Sequence, residues 1–346
     1  MTILRLVTRN SYFVTRLRKL LIGAAAALLL AGCAESPTYM TSSGAAGSRE
    51  AALGWTLTII SCAVVALVAV LLVWGLARRR ESGTGVSEGR EGVSWIYYGG
   101  VLMPIVVLLF AFTYSTVTLT GLHHPPGEPK VHVEVIGHRW WWEMKYLDGA
   151  PEGVFYTANE LHIPVGVPVH LDLRSADVIH SFWVPKLAGK TDLAPGSENS
   201  MWIEAKEPGV YLGECAEFCG LQHAHMQFRV VAESPRQYAA WLADQRAPAR
   251  VPSEPDEKRG EQVFANAPCA GCHTIRGTDA EGKVGPDLTH VGSRLTLGAG
   301  ILPNTPGHMA GWIASSQAIK PGSYMPTIYL KPAELQTLVS YLQSLR

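Results

Sequence analysis

The sequence predicts a multidomain membrane protein with a two-helix transmembrane hairpin, an all-β domain and a small all-α domain. Two long uncharged runs predict the hairpin, alternating apolar and polar residues predict the β domain, and helical patterning predicts the third part. Charged residues make up only 17% of the chain, against roughly 25% in soluble domains, so part of it is expected outside water. The formal net charge is zero, so no overall field would attract nucleic acid as a partner.

Residues 1–32 are predicted to be a lipoprotein signal peptide. Basic residues precede the apolar run LLIGAAAALLLAG, which is too short to span a bilayer. The sequence LAGC, ending at Cys33, resembles the bacterial lipoprotein box, in which the cysteine is lipidated and becomes the new N-terminus. The alternative is an uncleaved anchor with an incidental cysteine. Because one acyl chain binds membranes weakly, lipidation would add to other attachment, and residues 33–52 would form an exported N-terminal segment.

Residues 53–77 and 93–122 are predicted to be transmembrane helices, because each uncharged run exceeds the roughly 20 residues that cross a hydrocarbon core. Buried helices of a globular domain are the alternative, which the short basic loop between the runs argues against. That loop, residues 78–92, carries four arginines and is therefore predicted to be cytoplasmic. Both long ends of the chain would then lie on the exported side.

Residues 130–232 are predicted to form one compact β domain, either a sandwich or a barrel. The segments VHVEVIG, ELHIPVG, VPVHLDL and MWIEA alternate with a period of two between Gly and Pro, which predicts short antiparallel strands. Residues 233–259 begin as a short helix and become a Pro-rich, charged linker. Residues 260–346 are predicted to form the small helical domain.

The segment CAEFCGLQHAHM places Cys215, Cys219, His223 and Met226 in one loop. Thiolate, thioether and imidazole ligands suit copper, whereas a hard ion prefers oxygen ligands. A further histidine is needed, and His180 in VIHSFWVP is the best candidate. A disulfide leaves the histidines and the methionine unexplained, a Cys2His2 zinc site leaves the methionine unexplained, and a blue-copper centre uses one cysteine. Two thiolates that bridge two coppers account for every ligand.

Together with the predicted hairpin, GHRWWWEMKY, HSFWVPKLAGKTDLAPG and CAEFCGLQHAHM resemble subunit II of haem–copper cytochrome c oxidase over residues 50–232. The resemblance implies a cupredoxin fold and the dinuclear copper centre called CuA. It implies that the two cysteines bridge the coppers and that His180 and His223 cap them. Met226 would ligate one copper and the backbone carbonyl of Glu217 the other. The Glu217 carboxylate would reach a magnesium ion shared with subunit I.

Trp140, the first of three consecutive tryptophans, matches the aromatic position at which this family takes up electrons, and a core-packing role is the alternative. His225 lies between the ligands at the wrong spacing, so we predict that it binds no copper. Family members often carry a glutamate shortly before the second span, in a Trp-Thr-x-x-Pro context. Glu91 is not at that spacing from Pro104, which puts proton uptake through this subunit in doubt.

The segment CAGCH has the CxxCH spacing of the attachment site of c-type haem. Cys269 and Cys272 would hold the porphyrin by two thioether bonds, and His273 would supply an axial nitrogen. A chance CxxCH in a zinc or redox loop is the alternative. The small helical domain would then carry one covalently bound haem.

The residues around this motif resemble a class I cytochrome c. Gly260 and Phe264 before the motif and Tyr341 in the last helix resemble the crossed terminal helices of that family. Pro286 matches the proline whose carbonyl orients the axial histidine, which also tunes its basicity.

For the sixth haem ligand the sequence offers Met325, Met309 and His308. We predict Met325, which lies in the Gly/Pro-rich loop KPGSYMPT before the last helix and resembles the Met-Pro of small cytochromes c. Met309 shares helical spacing with apolar neighbours, which favours packing. His308 would lower the potential, whereas Met/His ligation raises it and suits electron delivery towards oxygen.

A CuA subunit with a fused cytochrome c is the caa-type arrangement, which implies transfer from a donor through haem c and CuA to subunit I, where oxygen is reduced and protons are pumped. The implied partners are oxidase subunits I and III, a bacterial inner membrane, and a cytochrome c or a quinol–cytochrome c reductase as donor. Both redox domains would lie on the periplasmic face.

Three other functions fit the sequence less well. A nitrous oxide reductase would need a large additional catalytic domain and has no such hairpin. A copper-delivery lipoprotein would gain nothing from covalent haem, and a free-standing electron shuttle would not need two spans.

The LAGC sequence predicts that the mature chain begins at lipidated Cys33. Intact mass of the subunit purified from membranes should equal that of residues 33–346 plus the lipid and one covalently bound haem. A mass that corresponds to an unmodified chain starting at Met1 would contradict this prediction.

Overall fold

The computed structural model describes residues 38–77, 90–147 and 153–346. The predicted signal peptide and Cys33 lie outside the described residues, as does most of the predicted cytoplasmic loop. The described residues form a helical hairpin, a β sandwich and a helical domain, in the order that the sequence predicts.

The hairpin consists of α1 (Ala45–Ala77) and a second rod made of α2 (Arg90–Trp95), a π-helical segment (Ile96–Leu102) and α3 (Met103–Leu122). Both rods are long and apolar enough to cross a membrane, with mean hydropathy of 2.8 and 2.0 in their most apolar windows. These windows are 0% buried within the protein, and α1 packs against α3. The π-helical segment ends two residues before Pro104, whose nitrogen cannot donate a helical hydrogen bond. The prediction of two apolar helices of spanning length is confirmed.

The first turns of α1 lie before the uncharged run and pack on the β sandwich. The amide of Gly47 donates to the carbonyl of Leu187 at 2.9 Å, and the Glu50 carboxylate accepts from the amide of Gly189 at 2.9 Å. A Cβ atom on Gly44 would lie 2.3 Å from the Leu187 carbonyl oxygen, so this approach requires glycine. The hairpin is therefore fixed directly to the β sandwich.

Among the described residues, ten strands in two five-stranded sheets form the sandwich. They are β1 (Val131–His138), β2 (Trp141–Tyr146), β3 (Phe155–Ala158), β4 (Glu160–Pro164), β5 (Val169–Ser175), β6 (His180–Val184), β7 (Ala188–Leu193), β8 (Asn199–Ile203), β9 (Gly209–Cys215) and β10 (Gln227–Glu233). One sheet has the order β3-β2-β1-β5-β8 and the other β4-β10-β9-β6-β7.

The pairs β1–β5 and β4–β10 are parallel, so the prediction of purely antiparallel strands is wrong. The strands of each parallel pair are far apart in sequence, and the chain visits the other sheet between them. Alternation within one strand shows which of its faces is buried. It does not show which neighbour the strand pairs with, because the pairing depends on the whole connection.

Alternate side chains of the strands fill the core between the sheets, as in β1, where Val133 and Val135 are fully buried. Trp142 is also fully buried and packs edge-on against Phe182 and Phe228, with ring centroids 5.7 and 5.4 Å away. Burial of each large apolar side chain contributes about 1.5–3 kcal/mol relative to exposure. This aromatic group makes a rigid base for the loops at its end of the sandwich.

The helical domain follows α4 (Pro235–Arg246), which packs against β4 and β10. Each of its helices has proline in the first turn, where the missing N–H has no helical partner to lose. The elements are α5 (Pro255–Asn266), α6 (Pro306–Ile319), α7 (Pro332–Ser344) and the short strand pair β11 (Thr296–Leu297) and β12 (Leu302–Pro303).

Helices α5 and α7 cross at very short range. A Cβ atom on Gly260 would lie 2.0 Å from the Thr337 carbonyl oxygen and 2.6 Å from the Cβ of Tyr341. The rings of Phe264 and Tyr341 meet edge-on, with centroids 6.2 Å apart. The three residues that resemble the terminal helices of a small cytochrome c therefore lie at one crossing.

The crossing predicts that Gly260→Ala destabilises the helical domain, because the added methyl overlaps the α7 backbone and overpacking costs about 1–3 kcal/mol. Thermal unfolding of the full chain should show a lower Tm, and hydrogen exchange should rise in α5 and α7. Gly311→Ala in α6 is the matched control, because its Cβ would meet nothing within 4 Å. Equal Tm values for the two variants would contradict the prediction.

Candidate copper and haem sites

The loop between β9 and β10 carries four of the predicted copper ligands. Cys215 is the last residue of β9, and Met226 directly precedes β10. His180 is the first residue of β6, which pairs with β9 so that Phe182 lies opposite Cys215. This pairing brings a histidine that is 35 positions away in sequence beside the loop.

The predicted side-chain ligands are grouped around the two cysteines. The sulfur atoms of Cys215 and Cys219 lie 3.8 Å apart. His180 Nδ1 is 3.9 Å from Cys215 Sγ, and His223 Nδ1 is 3.7 Å from Cys219 Sγ. Met226 Sδ is also 3.7 Å from Cys219 Sγ. One imidazole therefore lies beside each sulfur, with the thioether next to the second.

The two cysteines are free thiols, since a disulfide would bring the sulfur atoms to about 2.05 Å. The Glu217 carbonyl oxygen lies 3.3 Å from Cys215 Sγ. His180, Cys215 and Cys219 are buried, and their ligand atoms lie within 4.8 Å of one another. Two thiols, two imidazoles and a thioether fit copper, and this arrangement excludes the disulfide alternative.

Asp177 holds His180 in the orientation that this site needs. Its Oδ1 lies 2.9 Å from His180 Nε2, so a protonated Nε2 donates to it and Nδ1 is directed at the Cys215 sulfur. Burial opposes ionisation of Asp177, but hydrogen bonds from His180 and from the amides of Val178 and Arg139 lower its pKa. Asp177 is not among the residues predicted from the sequence, although a carboxylate three residues before a predicted ligand was an available signal.

The thiol pair is electrostatically asymmetric. The hydrogen bond from Cys219 lowers the pKa of Cys215 to about 3, against burial, which raises it. The Cys215 thiolate and burial then raise the pKa of Cys219. Burial lowers the pKa of His180, but its hydrogen bonds to Cys215 and Asp177 outweigh burial and raise it overall. The protein alone favours one thiolate, and binding of a metal ion would release the second thiol proton.

The indole groups of two tryptophans donate hydrogen bonds to the backbone of the loop that carries the predicted copper ligands. Trp140 donates from Nε1 to the Cys219 carbonyl at 2.9 Å, and Trp142 donates from Nε1 to the Met226 carbonyl at 3.3 Å. Gly220 has a φ of 115°, and a Cβ there would lie 3.2 Å from the Trp140 ring. His225 is exposed, and its Nδ1 lies 2.8 Å from Gln222 Oε1 rather than beside a sulfur atom.

The CAGCH motif lines a largely apolar cavity in the helical domain. Cys269, Cys272 and His273 form one wall, together with Pro286, whose carbonyl oxygen lies 2.8 Å from His273 Nδ1. Burial lowers the pKa of His273, so the neutral ring donates from Nδ1 and keeps the Nε2 lone pair for iron. A Cβ on Gly285 would lie 2.5 Å from the imidazole, so the residue before Pro286 must be glycine. These residues fit a c-type haem.

The three candidates for the sixth haem ligand have different surroundings. Met325 lines the cavity, and its backbone carbonyl accepts from Ser316 Oγ at 2.9 Å and from Gln317 Nε2 at 2.7 Å. Met309 also lines the cavity, but it is 2% exposed and its sulfur accepts from Gln343 at 3.6 Å. His308 is exposed, and its Nδ1 lies 2.8 Å from Thr305 Oγ1. Only the two methionines therefore face the cavity.

The cavity also reaches the β sandwich. Its lining includes Arg139 and Trp140 from the turn between β1 and β2, with Arg294 and Lys320 from the helical domain. The guanidinium groups of Arg139 and Arg294 are suitable partners for the two carboxylates that a haem carries. Trp140 therefore contacts the copper loop through its indole nitrogen and forms part of the haem cavity wall.

Two family models match the domains that carry these candidate sites. A family model described as "Cytochrome C oxidase subunit II, periplasmic domain" matches residues 150–234, and a second described as "Cytochrome c" matches residues 257–346. Cytochrome c oxidase subunit 2 of Alkalihalophilus pseudofirmus is 35% identical over 83% of this chain and 86% of its own length. The Bacillus subtilis protein of that name is 28% identical over 95% of this chain and 98% of its own.

A solved structure of the periplasmic domain of subunit II of cytochrome oxidase from Bradyrhizobium japonicum aligns with 27% identity and a TM-score of 0.33. It covers 35% of this chain and 96% of its own. The relative from Alkalihalophilus pseudofirmus carries the assignment, because it is more than 30% identical across most of both chains. This chain belongs to the cytochrome c oxidase subunit II family, as a subunit of an oxidoreductase complex that carries a cytochrome c domain after the subunit II domain.

Proposed function

We propose that this chain accepts electrons from a donor through a covalently bound haem c and passes them through CuA to the oxygen-reducing site in subunit I. The observation that carries the proposal is the position of Trp140. Its indole N–H is bonded to the carbonyl of Cys219, and its ring lines the cavity that contains the CxxCH motif. One side chain thus joins the two candidate redox sites.

The copper site would be formed mainly by the loop between β9 and β10. Cys215 and Cys219 would bridge two coppers, which supply a one-electron relay when bound. His180 and His223 would cap the pair, and Met226 and the Glu217 carbonyl would complete the ligands. Burial and the Asp177 hydrogen bond support this role for His180, because they fix its ring before any metal binds.

The haem would be attached to Cys269 and Cys272, with His273 and Met325 as axial ligands, and it supplies a second one-electron relay when bound. The Pro286 carbonyl orients the His273 ring. The hydrogen bonds from Ser316 and Gln317 fix the Met325 backbone at the cavity wall and support its choice over Met309.

The membrane context follows from the hairpin and from the family. We propose two spans in a bacterial inner membrane, both redox domains on the periplasmic face, and lipidation at Cys33 as an added anchor. Subunits I and III are the proposed neighbours, with a cytochrome c or a quinol–cytochrome c reductase as donor. The Glu217 carboxylate, which is partly exposed, is the proposed ligand for magnesium shared with subunit I. Oxygen chemistry and proton translocation would belong to the partner subunits.

The proposed path predicts that Cys219→Ser blocks electron flow after the haem. Loss of one bridging thiolate removes a ligand from both coppers, so copper content should fall well below two per chain and the mixed-valence signal should disappear. Haem c should remain reducible by the donor, while oxygen consumption by the oxidase complex should stop.

His225→Ala is the matched control, because this exposed histidine lies in the same loop without contacting a sulfur atom. Two coppers per chain in Cys219→Ser would contradict the bridging assignment. Purification of the wild-type chain without a large haem-bearing polytopic partner would contradict the assignment to an oxidase complex.

The cavity predicts that Met325→Ala abolishes the weak red absorption band of iron–thioether ligation. The haem should stay attached through Cys269 and Cys272, and transfer from haem to copper should slow because the iron loses its fixed thioether ligand and its ligation must rearrange with each electron. Met309→Ala should keep the band and lower only the stability, by about 2–5 kcal/mol for a buried methionine. Loss of the band in Met309→Ala and its retention in Met325→Ala would show that Met309 is the axial ligand and that Met325 is not.

A further inference from the structure

Lys320 occupies an unusual position at the junction of the two redox domains. It directly follows the last residue of α6, and only 3% of its surface is exposed. Its ammonium group donates to three backbone carbonyl oxygens: to Trp140 at 2.7 Å, to His225 at 2.7 Å and to Gly298 at 2.8 Å. An ammonium group has three donors, so the three carbonyls satisfy it fully.

The three carbonyls belong to segments that build the two sites. Trp140 is bonded through its indole to the Cys219 carbonyl, and His225 directly precedes Met226. Gly298 has a φ of 64° and lines the cavity that contains the CxxCH motif. One buried cation from the helical domain thus binds two segments beside the copper ligands and one segment of the haem cavity.

Burial of this group is unfavourable unless its hydrogen bonds are made. A charged amine out of water needs full compensation, and burial lowers the pKa of Lys320 to about 7. A residue that only filled space at this position would be apolar. The ammonium group therefore makes the contact specific, because any separation of the domains leaves a buried donor or a carbonyl without its partner.

Further hydrogen bonds near Lys320 join the same two domains. Gln222 Nε2 donates to the Pro321 carbonyl at 2.9 Å, and Arg139 Nη2 donates to Tyr324 Oη at 2.6 Å. On the other side, the amide of Gln227 donates to the carbonyl of Ala299 at 3.0 Å. These contacts place Lys320 in the interior of the interface, where water cannot readily replace its hydrogen bonds.

We propose that Lys320 is a positioning residue that locks the haem-bearing domain onto the copper loop, with Trp140 held between the two redox sites in one geometry. The proposal rests on the proposed transfer from haem c to CuA. The segment between β10 and α5 keeps the domains near each other, which raises the encounter frequency, but its hydrogen bonds go to Arg276 and His290 and not to the loop that carries the predicted copper ligands. The hydrogen bonds of Lys320 orient the helical domain on the β sandwich. Small displacements of reacting groups reduce rates by large factors, so this orientation would control the transfer rate.

The test compares Lys320→Met with Lys258→Met in the complete oxidase. Lys258 is exposed on α5 of the same domain, so its variant controls for the loss of one positive charge. After rapid reduction of haem c, transfer to CuA in Lys320→Met should slow at least about tenfold, with both optical spectra unchanged. The slowed rate should also fall with solvent viscosity, because the domains must then find each other, whereas the wild-type and Lys258→Met rates should not.

A second variant covers the case in which Lys320→Met does not accumulate as a folded protein. Gln222→Glu keeps an acceptor for His225 but replaces the donor to the Pro321 carbonyl with a carboxylate, which weakens the same interface. It should also slow the transfer and make it depend on viscosity. An unchanged, viscosity-independent rate in whichever variant folds would overturn the lock. Absence of transfer from haem c to CuA in the wild-type oxidase would overturn the proposed function instead.

Discussion

The hydrogen bond from the Trp140 indole to the Cys219 carbonyl, 2.9 Å long, is the contact on which the arrangement of both sites depends. It fixes the backbone of the thiol loop from inside the protein, where the bond does not compete with water. The same ring forms part of the wall of the haem cavity. A shift of this tryptophan would therefore change the geometry of the metal ligands and the distance between the two redox sites together.

The β sandwich makes this contact possible because its core is rigid at that end. Trp142, which is fully buried, packs against Phe182 and Phe228 and donates to the Met226 carbonyl. The pairing of β6 with β9 then places His180 beside Cys215, and Asp177 fixes the imidazole. The predicted ligands are thus held in place by the fold, which would limit the reorganisation that accompanies electron transfer through the proposed copper site.

The helical domain is organised by contacts of equally short range. Gly260 lets α5 cross α7 with almost no separation, and the Pro286 carbonyl orients His273. Neither contact involves the β sandwich, so the haem cavity has its own internal support. The position of this domain on the sandwich depends instead on polar contacts, with the ammonium group of Lys320 in the interior.

The sequence predicted the features that depend on residues close to one another in the chain. Uncharged runs indicated apolar helices of spanning length, period-two alternation indicated strands, and ligand type and spacing indicated the copper and haem motifs. The predicted ligands Cys215, Cys219, His223 and Met226 lie in one short segment of the sequence. Their spacing could therefore indicate a shared metal site. His180 was also predicted, but from its residue type and its resemblance to the family rather than from spacing.

Strand pairing was predicted incorrectly for the parallel pairs, because pairing depends on connections between sheets and not on alternation within one strand. Asp177 and Lys320 were missed for a related reason. The ammonium of Lys320 meets carbonyls 180 and 95 positions away, and a backbone carbonyl leaves no signature in a sequence. By itself, the sequence determined which chemical groups are available. Only the tertiary structure decided how the two redox domains meet, because that arrangement is set by hydrogen bonds between segments that folding alone brings together.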